Sequence, residues 1–378
     1  MGNKITINPI TRISGFLEIE VEIERNIIVN AKSSGLLFRG FEMMLKGRPP
    51  LDAIYFTERI CGICSTAHSM ASTLALEDVL NIQPNENDKM IRDFIHGSEF
   101  IQNHLRHFYQ YTIPDFVRGA RMETSFIAPH NDYRLPEKID EEISKHYVDS
   151  LKYSRLAHEM IAVLGGKAPH NHGIFVGGVT VNIDSAKWIK VKSILYDIKR
   201  FIEDILIPDV YKITEYYPDY FNNGIGYKNL MSYGLFDSYS DKRTFYVAPS
   251  VMINGKYSTF NSDKITENIH RAWYELIVDP ENPAETSVIE NIYKENAYSW
   301  IKSPRYEGYA MEVGPLARLW LSGDYNRGIS TMDRTIARVL EVKKIIEIME
   351  VFLEKIKLLP TNQGIYEFTQ NAYGKGLT

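Results

Sequence analysis

The chain has 378 residues, 44% of them hydrophobic and 24% charged, which is enough to bury one large core or several smaller ones. Its net charge of −5 argues against a nucleic-acid partner. The longest apolar runs fall short of the ~18 residues that a membrane span needs. Residues 1–10 hold no apolar segment typical of a secretion signal, and two cysteines cannot form a disulfide framework.

Residues 1–50 are predicted to form a β-rich N-terminal segment. Residues 17–23 alternate apolar and polar side chains, which predicts a half-buried strand, and residues 27–29 resume a strand after a turn at 24–26. The region from residue 4 to residue 38 is therefore expected to be a small antiparallel sheet. A short helix should follow residues 38–42 and stop at the Gly-Arg-Pro-Pro stretch, residues 47–50.

Residues 51–209 are predicted to form a helical core. Asp52 is the expected N-cap of a helix over 53–60, and a second helix is expected over 65–80. Apolar spacing predicts further helices over 86–113, 138–164 and 185–207. Gly-rich stretches at 165–170 and 177–178 interrupt these helices.

Residues 210–310 are predicted to be a loop-rich, mixed insertion with strand-like pieces such as 244–247, because Tyr, Asn, Gly and Pro are frequent there. Residues 311–378 are predicted to be a C-terminal helical segment whose main helix, 333–358, opens at Asp333. Without an internal repeat or an obvious linker, the chain is expected to be one interwoven unit over 1–378. The predicted fold class is mainly α with a small N-terminal antiparallel β region (α+β).

The two cysteines of the chain, Cys61 and Cys64, are separated by two residues, and we interpret them as half of a metal site. Arg59 stands just before the pair, where its charge favours thiolate over thiol. His68 lies one helical turn after Cys64, where its side chain can hydrogen-bond a metal-binding sulfur without binding the metal itself.

Three chemistries use a Cys-x-x-Cys pair. A structural zinc site needs about four ligands, so a Cys₄ site is excluded, and a Cys₂His₂ site would need distant histidines because His104 and His107 are only three positions apart. A thioredoxin-like redox pair normally follows a strand, whereas this pair stands between two helical stretches. A transition-metal centre, in which soft thiolates select nickel, iron or zinc, is the third possibility.

The segment Arg59-x-Cys61-Gly62-x-Cys64-x₃-His68 resembles the N-terminal signature of nickel–iron hydrogenase large subunits. Further segments resemble that family in the same order, over nearly the whole chain. They are Pro-Ile-Thr-Arg-Ile-Ser-Gly at 9–15, Phe-Arg-Gly-Phe-Glu at 38–42, His-Leu-Arg-His-Phe-Tyr at 104–109, Gly-Gly-Lys-Ala-Pro-His at 165–170, Val-Gly-Gly-Val at 176–179, Glu-Val-Gly-Pro-Leu-Ala-Arg at 312–318 and Met-Asp-Arg at 332–334.

This resemblance implies the roles of single residues. Cys61 is similar to the family's terminal nickel ligand, and Cys64 to the thiolate that bridges nickel and iron. Glu42 matches the family's carboxylate at a buried magnesium site, and an oxygen ligand suits that hard cation. Arg59 and His68 match residues that surround the nickel–iron cofactor.

The resemblance also implies a reaction, the reversible oxidation of dihydrogen to two protons and two electrons. The cofactor is a nickel–iron centre whose iron carries carbon monoxide and cyanide ligands, installed by maturation factors. Electrons are expected to leave through a separate iron–sulfur small subunit, because the chain has no cysteines to spare for clusters. Without a signal of its own, the chain is expected at a membrane or outside the cytoplasm by way of that partner, or in the cytoplasm.

The chain departs from the family at its C-terminus. The family closes its metal site with a second Cys-x-x-Cys near the C-terminus, and this chain ends at Thr378 without one. We therefore expect a C-terminally truncated version of the large-subunit fold with an incomplete ligand set. The explanations are a fragment of a longer subunit, a split gene, or a paralogue without catalysis that acts as a scaffold.

The chain also departs at two positions that concern protons. Ser14 stands where many members have glutamate, and Asn103 stands where many have aspartate. A hydroxyl can pass a proton along a chain of hydrogen bonds, but neither side chain stores one near neutral pH. Either protons leave by another route or their transfer is impaired.

Overall fold

The computed structural model describes residues 3–120, 132–239, 242–276, 282–361 and 364–378. Contacts between residues divide the chain into two compact units, each made of two chain segments. The first contains Met1–Lys46 and Asn261–Met311, and the second contains Gly47–Phe260 and Glu312–Thr378. Two of the borders, after residues 46 and 311, lie near the predicted segment borders at 50 and 310, whereas the border after residue 260 has no predicted counterpart and the predicted border at 209 is not a border here. The interwoven single unit over 1–378 stays a prediction.

The described residues form helices joined by short strands and irregular segments. The helices are α1 (Phe41–Leu45), α2 (Asp52–Thr57), α3 (Ser65–Leu80), α4 (Glu86–Arg106), α5 (Glu137–Gly165), α6 (Ser185–Phe201), α7 (Ile207–Tyr216), α8 (Pro315–Ser322) and α9 (Thr331–Lys355). The strands are β1 (Asn3–Ile7), β2 (Leu17–Glu24), β3 (Ile27–Gly35), β4 (Ile174–Phe175), β5 (Gly178–Val179), β6 (Asn229–Ser232), β7 (Ser250–Ile253), β8 (Lys256–Thr259), β9 (Ile265–Glu267) and β10 (Pro304–Tyr306).

The first unit contains the N-terminal antiparallel sheet that residues 4–38 predicted, in the order β1-β2-β3. The register places Val21 opposite both Ile5 and Ala31, so apolar side chains share one face of the sheet. Glu20 points to the other face, where its carboxylate pairs with Lys4 at 2.6 Å and with Lys32 at 3.3 Å. The strict alternation of residues 17–23 thus separates an apolar face from a charged one.

The second unit has its core between α4 and the helices around it. Apolar side chains at positions 94, 95, 101 and 105 of α4 are fully buried. Gly97 lets α9 approach α4 closely, because a Cβ atom there would lie 2.7 Å from the Met349 sulfur. Four apolar positions at helical spacing and one glycine thus make α4 the central helix of this unit.

Several predicted helix ends were wrong. Leu51, not Asp52, is the N-cap of α2, no side chain caps that helix, and a 3-10 turn at Glu58–Ile60 follows it. The helix predicted to end at 207 continues through a π-helical turn, Ile202–Leu206, into α7. Pro208 is tolerated because it stands in the first turn of α7, where a missing N–H costs little.

Two further predictions need correction. Asp333 does not open the last helix: Ser330 is the N-cap of α9, and Asp333 completes a capping box with it. Of the strand-like residues 244–247, only Val247 pairs, through an isolated bridge to Leu235. Residues 210–216 belong to α7, and the described residues from 217 to 310 are mostly irregular with short antiparallel pairs.

The end of the chain lies against α3. A Cβ atom on Gly374 or Gly376 would collide with backbone atoms of Ala75 and Ala71, so only glycine allows this approach. The backbone N–H of Lys375 donates to the Asp78 carboxylate at 2.8 Å. These contacts bring Thr378 to the rim of a cavity beside the N-terminal half of α3.

Candidate metal centre

The two cysteines lie in a turn between helical elements of the second unit. Cys61 follows the 3-10 turn, and Cys64 is the N-cap residue of α3. The Thr57 hydroxyl, at the end of α2, lies 2.8 Å from the Ala53 carbonyl oxygen and 3.2 Å from that of His68. The turn is therefore held between two helices that are tied to each other on either side of it.

The cysteines are adjacent and both thiols are free. The Cys64 N–H donates to the Cys61 sulfur at 3.2 Å. A hydrogen bond from the Cys64 thiol lowers the pKa of Cys61 against the effect of burial, with help from nearby backbone N–H groups and the charge of His68. The same hydrogen bond, together with burial, raises the pKa of Cys64. The pair is thus arranged as one thiolate and one thiol.

Arg59 and His68 lie on opposite sides of the pair in sequence and differ in what they contact. The Arg59 guanidinium forms an ion pair with the Glu58 carboxylate, with Nη1 3.3 Å from Oε2. The charge of His68 contributes to the lowered pKa of Cys61. Their predicted roles around a bound cofactor stay predictions.

Helix α4 holds the residues on both sides of Cys64. The Glu99 carboxylate accepts hydrogen bonds from the backbone N–H groups of Thr66 at 2.8 Å and Ala67 at 3.1 Å. One helical turn later, the Asn103 side-chain amide donates to the Ile63 carbonyl oxygen at 2.9 Å. Two side chains of the central helix thus fix residues 63 and 66–67, and Cys64 with them.

Two carboxyl groups beside the turn are buried, and the sequence interpretation missed both. Burial raises the pKa of Glu58 to about 7 against the charge of Arg59, and Glu58 Oε1 has no hydrogen-bond partner among the described residues. Burial also raises the pKa of Glu99 to about 7, although the amides of Thr66 and Ala67 favour its ionised form. The sequence held one signal: Glu99 stands four residues after Ile95, on the buried stripe of α4.

The donor set fits part of a metal centre. Two neighbouring sulfurs at a helix N-terminus suit a soft transition metal such as nickel or iron. Within the ranges that the structure describes, no group of three or more His, Cys, Asp and Glu side chains is placed to hold a metal ion. A closed Cys₂His₂ zinc site is therefore not formed by these residues. The pair also follows a helical turn rather than a strand, unlike the redox pair that was considered.

Glu42 and Ser14 belong to the first unit. Glu42 lies on α1 with its carboxylate half exposed and 3.9 Å from Lys302 Nζ, which makes it the partner of a cation and not part of a cluster of oxygen ligands. The described residues around it do not fit a magnesium site, and its role as a magnesium ligand stays a prediction. Ser14 is exposed in the loop between β1 and β2.

A cavity of about 260 Å³ opens beside Ala67 on α3. Its wall includes Arg318 of α8 and the buried side chain of His96, whose ring centroid lies 4.8 Å from that of Phe100 at an interplanar angle of 45°. Burial and the charge of Arg318 lower the pKa of His96 to about 4, so this imidazole is neutral at physiological pH. The chain end, Thr378, lies at the rim.

The segments 312–318 and 332–334 have structural roles in the second unit. Arg318 donates two hydrogen bonds to the buried Glu341 carboxylate, at 2.7 and 2.8 Å. His104 and Tyr246 bond the same carboxylate at 2.7 Å each. Arg334 forms a two-bond ion pair with Glu312. His104 is therefore a member of a buried network in this structure.

Residues 39–124 and 118–328 match the family described as nickel-dependent hydrogenase. Because this match covers more than half of the chain, the protein belongs to the nickel-dependent hydrogenase family. The resemblance derived from the sequence is confirmed.

Individual relatives narrow the comparison to large subunits. The chain is 34% identical, over 335 residues, to the periplasmic [NiFeSe] hydrogenase large subunit of Desulfomicrobium baculatum, covering 84% of this chain and 64% of that subunit. It is 30% identical to the hydrogenase-2 large chain of Escherichia coli, covering 84% of this chain and 68% of the relative. The chain thus spans less than two thirds of the Desulfomicrobium subunit.

Solved structures confirm the fold class. The Ni-Fe-Se hydrogenase of Desulfovibrio vulgaris Hildenborough in the reduced state superposes with a TM-score of 0.89 at 33% identity, covering 97% of this chain and 81% of the other. The Dm. baculatum [NiFeSe]-hydrogenase superposes with the same TM-score at 30% identity, covering 98% and 82%. Among the described residues, no helix is both long and apolar enough to span a membrane.

Proposed function

We propose that the chain is the large subunit of a nickel–iron hydrogenase that reversibly oxidises dihydrogen to protons and electrons. The observation that carries this proposal is the adjacent thiol pair at the N-terminus of α3, in a chain of the nickel-dependent hydrogenase family. One sulfur favours thiolate and the other keeps a proton. Both sulfurs would bind metals as thiolates, and soft thiolate donors suit nickel and iron.

The residues of the pair are proposed to hold the cofactor in the way the family resemblance implies. Cys61 would hold the centre as its terminal nickel ligand, and Cys64 would be the ligand shared by nickel and iron. When bound, a centre with carbon monoxide and cyanide on its iron would supply Lewis-acid chemistry for the cleavage of dihydrogen. Arg59 and His68 surround the centre, and His68 favours the Cys61 thiolate by its charge.

The chain supplies two thiolates, and further sulfur ligands have to come from polypeptide outside these 378 residues, because the sequence holds no third cysteine. The magnesium ion proposed at Glu42 likewise needs ligands beyond those the described residues offer. An ion held by so few donors is bound weakly. The 378-residue chain alone is therefore not expected to turn over hydrogen.

The proposed partners are an iron–sulfur small subunit, which receives the electrons, and maturation factors, which install the metal centre. The chain itself offers no cluster ligands beyond the cysteine pair. The protein is proposed to reach a membrane or an extracytoplasmic compartment together with the small subunit, with a cytoplasmic site as the alternative. The periplasmic location named for the Desulfomicrobium relative supports the first of these.

The second candidate function is a scaffold that keeps the large-subunit fold and binds a small subunit without turning over hydrogen. Two observations favour it. The described residues hold no group of three or more metal donors, and Ser14 and Asn103 cannot store protons.

The test is to produce the native polypeptide together with a small subunit and the maturation factors, and to measure nickel, iron and hydrogen-dependent dye reduction. We expect one nickel per large subunit, with iron in excess because the clusters of the small subunit also contain iron, and we expect Cys64→Ser to have lost the nickel. A native chain that pairs with the small subunit at a mass of 43.6 kDa but holds no nickel would establish the scaffold instead. Unchanged nickel content and unchanged hydrogen-dependent dye reduction in Cys64→Ser would show that Cys64 is not a metal ligand.

A further inference from the structure

Arg338 of α9 contacts α4 at His104, where its Nη1 atom lies 3.3 Å from Nδ1 of the imidazole. Burial lowers the pKa of His104 to about 4, so this imidazole is neutral at physiological pH. Its Nε2 atom lies 2.7 Å from the Glu341 carboxylate. An ionised carboxylate only accepts hydrogen bonds, so Nε2 carries the proton and Nδ1 accepts from Arg338. One of the five N–H donors of this guanidinium is thus used on a neutral partner.

The Glu341 carboxylate has no acceptor position left for Arg338. Its Oε1 accepts from Arg318 Nε and from the Tyr246 hydroxyl, each at 2.7 Å. Its Oε2 accepts from Arg318 Nη2 at 2.8 Å and from His104 at 2.7 Å. These four bonds occupy the positions that a carboxylate offers. Within the described ranges, Arg338 forms no ion pair with an aspartate or glutamate, and its contact with His104 leaves its charge uncompensated.

The charges around Arg338 add up to an excess of one positive charge. Burial and the charge of Arg318 lower the pKa of Arg338, whereas the charge of Glu341 opposes this shift. Arg318 and Glu341 are paired with each other, so their opposite effects on a third charge partly cancel. Arginine stays protonated in proteins, and a desolvated cation without an anion is unfavourable. The half-buried guanidinium therefore favours any anion that can reach it.

The π-helical turn that continues α4, His107–Thr112, supplies no anion either. Burial and the charge of Arg338 lower the pKa of His107 to about 3, so this imidazole is also neutral. In the same turn, the Nε2 donor of Gln110 is buried without a hydrogen-bond partner among the described residues. Positive charge and unused donors thus occur together on this part of the helix, and a buried donor without an acceptor is costly.

We propose that the Arg338 guanidinium, beside His104 and His107, binds a small monovalent anion of the chloride type. A guanidinium with free N–H groups offers charge-assisted hydrogen bonds to such an ion. One negative charge equals the excess that Arg318, Arg338 and Glu341 leave, which favours a monovalent over a divalent anion. The site lies in the second unit, is built from α4 and α9 alone, and does not depend on the proposed hydrogenase activity.

The first test measures chloride affinity by NMR line broadening of the chloride resonance. It uses the native protein as isolated, together with any metals and partner subunit that it carries. Arg338→Gln should weaken the binding by about 10- to 100-fold, the worth of hydrogen bonds to a charged group. Lys343→Gln is the matched control, because it removes the same charge from an exposed position of α9 and should bind chloride like the wild type. Equal affinities in Arg338→Gln and the wild type would place the chloride elsewhere and overturn the proposal.

The second test locates the ion in crystals grown in bromide, which is identified by its anomalous scattering. We expect a bromide peak within hydrogen-bond distance of the guanidinium in the wild type and in Lys343→Gln, and none in Arg338→Gln. Wild-type crystals without that peak, or with a carboxylate of another chain segment or subunit in its place, would refute the site. The wild-type map decides alone if Arg338→Gln does not fold. Neither measurement needs nickel or hydrogen turnover, so this proposal and the proposed function can fail separately.

Discussion

Two buried carboxylates of the second unit differ in the charges around them. Glu99 lies on α4, and Glu341 lies on α9, where it bonds His104 of α4. Burial would raise the pKa of Glu341, but the charge and hydrogen bonds of Arg318, with a bond from His104, hold it far below its ordinary value. Glu99 has no such cation among the described residues, and burial raises its pKa to about 7. One carboxylate is fixed as an ion at every physiological pH, and the other can change its protonation.

Helix α4 thus contacts two different regions. The network around Glu341 has fixed charges, whereas the region around the cysteine turn contains a carboxyl group that can gain or lose a proton. Around Glu341 the buried polar groups meet partners from α4, α8, α9 and the segment before β7. Around the cysteine turn, Glu58 Oε1 and His170 Nδ1 are buried without hydrogen-bond partners among the described residues. Incompletely satisfied polar groups are costly, and such groups collect where a protein binds or reacts.

The largest expected effect comes from breaking the satisfied network. Glu341→Leu leaves the Arg318 guanidinium buried without its anion, so we expect the free energy of unfolding to fall by about 3 to 5 kcal/mol. Urea unfolding followed by circular dichroism of the helices measures the change. Glu350→Gln is the matched control, because it breaks a partly exposed ion pair with Lys199 on the same helix α9 and should cost less than about 1 kcal/mol. Equal losses in both variants would show that the network is not what stabilises this region.

The next effect tests the responsive carboxylate through pH. The pKa of Glu99 is about 7 in the folded chain, above the 4.5 of an unperturbed glutamate, so the folded state binds more protons between these values. Stability from this group is therefore present at low pH and is lost as pH rises from about 4.5 to 7, by about 3 kcal/mol in total.

The buried histidines change the free energy of unfolding with pH in the opposite direction. The contribution of Glu99 is therefore obtained by comparing the wild type with Glu99→Gln at each pH. Burial lowers the pKa of His104 to about 4, and stability from that group is lost as pH falls below about 6.5. The unfolding free energy of the wild type minus that of Glu99→Gln cancels the histidine contribution and should decline across this window. A difference that stays flat from pH 4.5 to 7 would mean that Glu99 is ionised throughout.

These two regions also show how far sequence reasoning reached. The alternation of residues 17–23 and the spacing of 65–80 predicted β2 and the bounds of α3, because each depends on neighbours along the chain. The cysteine pair was found because its spacing is local as well. Glu99 was missed because its partner at Thr66 is 33 residues away, and a glutamate on a helix reads as a surface charge until its burial is known.

The helix ends that were wrong have a similar cause. Asp52 is a good capping residue by type, but the helix begins one residue earlier than expected. The N–H groups of residues 52 and 53 already donate to the carbonyl oxygens of residues 49 and 50, and no side chain caps the helix. The Glu341 network joins side chains 237, 95 and 23 residues apart, which no local pattern encodes. The order of the motifs identified the family. The side chains that fix the protonation of each buried carboxyl group, however, come together only in the tertiary structure.

A smaller effect is expected at Asn103, which connects α4 to the turn. Asn103→Asp replaces a donor to the Ile63 and Glu99 carbonyl oxygens by an acceptor, and the loss should be about 1 to 2 kcal/mol. It should also speed alkylation of Cys64 relative to Cys61, measured by mass spectrometry, because residue 63 is released next to that thiol. Glu86→Gln serves as the control, since Glu86 is exposed in the first turn of α4. Equal alkylation ratios in both variants would remove Asn103 from the support of the site.

The smallest effect tests whether a neutral contact also supports the turn. Thr57→Val keeps the shape of the side chain but removes the hydroxyl that lies 3.2 Å from the His68 carbonyl oxygen and 3.1 Å from the Ser72 hydroxyl. We expect a loss of about 1 kcal/mol, the net worth of one buried hydrogen bond between neutral groups. Because no charge is removed, this loss should be independent of pH between 4.5 and 7, unlike that of Glu99→Gln. Thermal unfolding at two pH values measures both quantities, and a pH-dependent loss in Thr57→Val would show that the whole turn, rather than Glu99, carries the response to protons.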